Sequence, residues 1–232
     1  MPHGSTLFNR QQPALPHLVQ QGGGLSGEIA DLRKDLKTIL NRLAPIGVSE
    51  FTNPTAASTT AIKTAAATVA SVQSFSGATL NGSTGANAMP GGIARNVSIT
   101  TAGVTPADAP ATATITGLYL GKAQTETINV GQTATTVFGT KPFDKVTQID
   151  LPAADGTAAT LAFGFGPALG VGLPAKSRAS GVVIIREVVD GALVTTGALT
   201  SNNLYTPATA PDGAHDYAVY YEFDPASTLL AE

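Results

Sequence analysis

The chain contains no cysteine and no tryptophan among its 232 residues. Without cysteine there are no disulfides, no thiolate metal ligands and no cysteine nucleophile. That absence fixes no compartment, because both a reducing cytoplasm and life outside the cell are compatible with it. Charge is scarce too. Asp, Glu, Lys and Arg make up 12% of the chain, against about a quarter in an average globular domain. The net charge is −3. Nucleic-acid binding needs clustered Lys and Arg that displace counterions from phosphates, so no nucleic-acid partner is expected. No apolar run approaches the ~18 residues of a helical membrane span, and no membrane partner is expected. Met1 to Arg10 shows no basic start followed by an apolar run, as a secretory leader would. The expectation is a chain made in the cytoplasm, which stays there or leaves by lysis or inside an assembly.

Catalytic and metal chemistry is equally thin. The histidines are His3, His17 and His215, too few for a ligand set at metal spacing. His215 sits in Asp212-Gly213-Ala214-His215-Asp216. With Asp212 and Asp216 it could take a cation, but an ordinary polar turn explains the same residues. No G-x-S-x-G elbow surrounds a serine. Asp144, Asp150, Asp155, Glu187, Asp190, Glu222 and Asp224 could supply paired carboxylates for glycoside hydrolysis, yet no tryptophan is present to stack a sugar. Gly164-Phe165-Gly166 and Gly170-Val171-Gly172 look like phosphate loops, but no Lys-Ser/Thr or helix follows them. They read as a flexible loop crossing between two sheets. Tyr119, Phe138 and Phe163 lack the flanking basic residues of an RNA-binding sheet. The expectation is a non-enzyme with no cofactor and no metal.

Residues 1–27 read as an extended N-terminal arm. Pro2, Pro13 and Pro16 oppose helix, and Gly22-Gly23-Gly24 makes a flexible joint. Leu7, Phe8, Leu15, Leu18 and Val19 are apolar beads that suit docking in a partner's groove better than a solvated linker. Residues 28–45 read as one short helix. Ser26 is the N-cap candidate, and Glu28 and Asp31 lie at the positive end of the helix dipole. Ile29, Leu32, Leu36, Ile39 and Leu43 follow at spacings of 3, 4, 3 and 4, the a/d seam of a coiled coil. Pro45 and Gly47 stop it. So short a helix is marginal alone in water, and its narrow stripe favours a symmetric bundle. Mixed Ile and Leu at the seam lean towards three strands. Leu40 widens the stripe and leaves open a helix packed on its own domain.

From Glu50 the apolar period falls towards two. Residues 50–232 read as an antiparallel β-sandwich or barrel, either one sandwich or two packed parts, 50–170 and 171–232. Ala56 to Ala70 is Thr-rich and leans to extended structure. Strands are expected at 95–101, 113–120, 124–130, 135–138, 143–151, 159–165, 181–189, 192–199 and 217–223, with a turn at Gly121-Lys122. Asp190-Gly191 is a strong hairpin signal. Eight to ten short strands at this spacing mean a sandwich or barrel, and no βαβ alternation suggests a parallel sheet.

Several of these stretches resemble a β-sandwich found in virion proteins of tailed bacteriophages. They are Arg95-Asn96-Val97-Ser98-Ile99-Thr100-Thr101-Ala102-Gly103, Ala113-Thr114-Ile115-Thr116-Gly117 and Gln124-Thr125-Glu126-Thr127-Ile128. Thr140-Lys141-Pro142-Phe143, Val146-Thr147-Gln148-Ile149 and Tyr205-Thr206-Pro207-Ala208 through Pro211-Asp212-Gly213 to Tyr217 continue the pattern. The resemblance covers about residues 93–223 and rests on turn and strand patterns. It implies a capsid decoration, or cement, protein over joints between major capsid subunits. Such proteins are commonly trimers, which agrees with the heptad seam. The implied partners are further copies of the chain and the major capsid protein, and the implied place is the virion surface. A head fibre, a neck or tail part, and a carbohydrate-binding attachment module are the alternatives.

Overall fold

The computed structural model describes residue 32 and residues 46–81, 87–103, 105–172, 183–200 and 203–222. The chain divides into two units, Met1–Ala44 and Pro45–Glu232. The arm at 1–27 lies outside the described residues, with Leu7, Phe8, Leu15, Leu18 and Val19. So does the helix at 28–45, with Ile29, Leu36, Ile39 and Leu43, except for Leu32, which is helical.

The second unit is mainly β. In chain order its strands are β1 (Ile46–Phe51), β2 (Ser58–Ala67), β3 (Gln73–Ser76), β4 (Asn87–Ala88) and β5 (Arg95–Ala102). Then come β6 (Thr112–Tyr119), β7 (Lys122–Asn129), β8 (Thr135–Phe143), β9 (Lys145–Leu151) and β10 (Thr160–Gly170). The last are β11 (Val183–Val189), β12 (Ala192–Val194), β13 (Ala198–Leu199), β14 (Leu204–Thr206) and β15 (Tyr217–Glu222). All strand pairs among the described residues are antiparallel.

Two sheets face each other across the larger core. One runs β13-β14-β10-β5-β8, with β2 also on β10. The other runs β3-β9-β6-β7, with β4 on β9. Alternation along β6 turns Ala113 and Ile115 inward, where they meet Val97, Ile99, Leu161 and Phe163 from the opposite sheet. Each such large side chain contributes about 1.5–3 kcal/mol on burial. Side chains join the free edges of β7 and β8: Lys141 Nζ donates to Thr125 O at 2.7 Å, Gln124 Nε2 donates to Pro142 O, and the Glu126 carboxylate bridges the strands. Glu126 accepts from Thr140 N at 2.5 Å, from Thr140 Oγ1 at 2.9 Å and from Lys141 N at 3.3 Å. It replaces the carbonyls of a missing partner strand, and the result is a curled half-barrel. Pro142 is tolerated because β8 is an edge strand.

The third sheet, β1-β15-β11-β12, covers a second core of Phe51, Leu169, Val171, Tyr205, Tyr217, Val219 and Tyr221. Sheet membership does not follow chain order, since β1 pairs with β15 along its whole length. β10 runs from the first core, through Leu161, Phe163 and Phe165, to the second at Leu169.

Several sequence expectations are corrected. Gly164-Phe165-Gly166 is no crossing loop but the buried middle of β10. A Cβ on Gly164 would lie 1.7 Å from Ser58 O, far inside van der Waals contact, so glycine is what lets β2 approach. The turn after β6 is Leu120-Gly121, not Gly121-Lys122; its φ values are +51° and +74°, a left-handed pair that matches strand twist. The strand expected at 135–138 continues to Phe143, and the next begins at Lys145. The strand expected at 192–199 is two short ones, interrupted at Gly197, where a Cβ would collide with Thr206 O. The Asp190-Gly191 hairpin is present, with φ values of +49° and +78° and Val189 paired to Ala192.

Candidate functional surface

Leu32 is the only residue of the seam and arm sets that falls among the described residues. It is 72% exposed.

Among the described residues of the second unit, the outer face of the four-stranded sheet carries a shaped hollow. Register places Val48 beside Tyr220 and Glu50 beside Ala218. On the other side of β15, Arg186 lies beside Tyr220 and Val188 beside Ala218, with Leu193 next to Val188. The Arg186 guanidinium stacks 4.1 Å from the Tyr220 ring centroid. Val48 and Leu193 are exposed, at 47% and 71%. Ala218 is too small to fill the space between Glu50 and Val188. A hollow of about 250 Å³ results, walled further by Thr52, Asp190, Gly191 and Asp216.

His215 stands behind this hollow and ties its loops together. Its Nδ1 lies 2.5 Å from Asp190 Oδ2 and its Nε2 lies 3.4 Å from Asp212 Oδ2. The hydrogen bond to Asp190, then the charge of Asp212, raises the His215 pKa above its ordinary value. The same hydrogen bond, then the one donated by Asp216 N, holds the Asp190 pKa below the usual carboxylate value. Asp190 Oδ1 accepts from Asp216 N at 2.8 Å, and Asp216 Oδ1 accepts from Asn53 N at 2.9 Å. Asp212 Oδ1 caps its own turn through Ala214 N. These carboxylates therefore serve loop geometry. Among the described residues, no three His, Cys, Asp or Glu side chains are grouped to hold a metal ion. Nor is any helix among them long and apolar enough to cross a membrane.

Other carboxylates named from the sequence are dispersed. Asp144 accepts from Leu120 N, and Asp150 accepts from Gln148 Nε2 at 2.8 Å. Glu187 is fully buried. Its Oε2 accepts from Tyr205 OH, from Gly197 N at 3.0 Å and from Ala208 N at 3.3 Å. Burial, and then the bond to Glu187, push the Tyr205 hydroxyl pKa up. Sequence reading did not place the charged residues Arg95, Glu126 and Glu187 in the interior. Period-two alternation puts Glu187 in phase with inward Val189, and that was the available signal.

No family model matches this chain, and no curated protein or solved structure matches it.

Proposed function

We propose that this chain is a structural protein of a virus particle, a decoration protein that binds as a trimer over joints between capsid subunits. The observation that carries the reading is the heptad seam Ile29, Leu32, Leu36, Ile39 and Leu43, of which Leu32 is 72% exposed. An apolar helix stripe in water needs a partner. A symmetric bundle of three such helices supplies it. The low charge and the antiparallel β body suit a protein that packs against neighbours, and the resemblance of residues 93–223 to phage virion proteins supplies the setting. The action is mechanical. A shell filled with DNA is pressed outward, and a trimer that touches several subunits makes each further contact intramolecular. Leu7, Phe8, Leu15, Leu18 and Val19 on the arm extend the footprint over capsid subunits or a neighbouring trimer.

The test is Leu36→Asp combined with Ile39→Asp, which buries charge in the seam. The variant is expected to sediment as single chains with its β circular dichroism unchanged. A variant that stays fully oligomeric sinks the seam assignment. Copy number in purified particles separates a decoration protein, expected near that of the major capsid protein, from a neck part present in far fewer copies.

A further inference from the structure

The outer face of the four-stranded sheet is apolar at Val48 and Val188, carries Arg186 stacked on Tyr220 between them, and is acidic at the hollow. Glu50, Asp190 and Asp216 line that hollow. Asp190 and Asp216 are engaged by His215 and by backbone N–H groups. The exposed Glu50 carboxylate has no hydrogen-bond or ion partner among the described residues. The surface therefore fits a segment that brings one cation with apolar residues beside it. Residues 1–27 hold a single Lys or Arg, Arg10, and no Asp or Glu. Leu7 and Phe8 stand three and two residues before it.

We infer that the hollow receives Arg10 of a second copy, with Leu7 and Phe8 of that copy laid against Val48 and Val188. The inference rests on the reading of residues 1–27 as an extended arm. A planar guanidinium can face Glu50 and the free side of Asp216 together, which a point charge does less well. The apolar stem of the arginine lies over Ala218, where a larger residue would close the hollow. The arm would thereby stitch neighbouring copies together, adding contacts outside the helix seam.

The chain has no cysteine, so introduced thiols report proximity without background. A full-length chain carrying Asn9→Cys and Thr52→Cys is treated with a short bismaleimide and run on a denaturing gel. Thr52 lines the hollow and is exposed. Docking on a second copy gives a ladder of linked chains. Adding Glu50→Gln, a surface change, is expected to cut the ladder about tenfold, the loss of one charge-assisted hydrogen bond. About 1 M salt, which shortens screening to ~3 Å, should do the same. A link closed within one chain overturns the second-copy assignment. No link, or a ladder indifferent to Glu50→Gln, overturns the docking itself. Light scattering on the same samples separates the two ideas. A trimer without the ladder removes only this inference, and a ladder from chains that are monomeric without the linker removes only the seam.

Discussion

Arg95 is 1% exposed, yet no carboxylate pairs with it among the described residues. Its partners are carbonyls. Nε and Nη2 donate to Gly166 O at 3.0 and 2.7 Å, and Nη1 donates to Thr55 O at 3.0 Å. The β5–β10 register breaks between Phe165 and Leu169, so Gly166 O lies in a bulge where the ladder is interrupted. Thr55 belongs to the segment joining β1 to β2, so the guanidinium ties that segment to β10. Its face also lies 5.0 Å from the Phe165 ring centroid. Desolvation lowers its pKa to about 10, which still leaves it charged at neutral pH. Arg95→Met keeps much of the bulk and removes every donor. Two carbonyls then lack partners at about 1–3 kcal/mol each, partly offset by no longer burying a charge, so the expected cost is on the order of 3 kcal/mol. For a chain of this size that is a fall of roughly 6–12 °C in Tm. Urea unfolding at fixed protein concentration reads it directly, with the midpoint lowered and the slope unchanged. Arg95→Lys should fall between, since one ammonium reaches fewer carbonyls in that geometry. A loss below about 1 kcal/mol for Arg95→Met would refute the reasoning.

Gly164→Ala sets a methyl against the Ser58 and Thr59 backbone, which cannot yield without breaking the β2–β10 pairing. A destabilisation above about 3 kcal/mol is expected in the same urea assay, or loss of soluble protein. Leu120→Asn relieves a left-handed leucine in a two-residue turn and should raise stability by about 0.5 kcal/mol, seen as a higher urea midpoint. The raised pKa of His215 means the protonated ring is favoured in the folded state. That contribution is complete below about pH 6.5, the unfolded value, and is lost as pH rises through the higher folded value. An NMR titration of His215 should show the raised midpoint, and Asp190→Asn should return it towards the ordinary value.

The legible parts of the fold were those fixed by local chemistry. Asp190-Gly191 announces its hairpin because both residues accept positive φ cheaply. Leu120-Gly121 does the same job silently, since leucine is a poor left-handed residue and only Asp144, accepting from Leu120 N, shows why it is held there. Val97 and Ile99 were legible as inward residues, but Asn96 before them and Ser98 between them are buried as well. β5 is a central strand with both faces covered, and a period of two reports only half-exposed strands. The glycines of β10 were misread because the need for Gly164 comes from Ser58, more than a hundred residues earlier. No local pattern carries that information.

The candidate surface was still less legible. Glu50, Val188 and Ala218 meet only because β1 and β11 flank β15, and strand pairing across so long a chain is a tertiary fact. His215 was singled out as a turn residue with Asp212 and Asp216. The carboxylate that holds its Nδ1 belongs to Asp190, at the β11–β12 turn.

The account stands most directly on the mass of the full-length protein in solution, measured by light scattering coupled to size exclusion. It predicts three chains of 23.4 kDa each, reduced to a single chain's mass when residues 1–45 are deleted. A full-length protein that runs as a stable monomer at all accessible concentrations would contradict it.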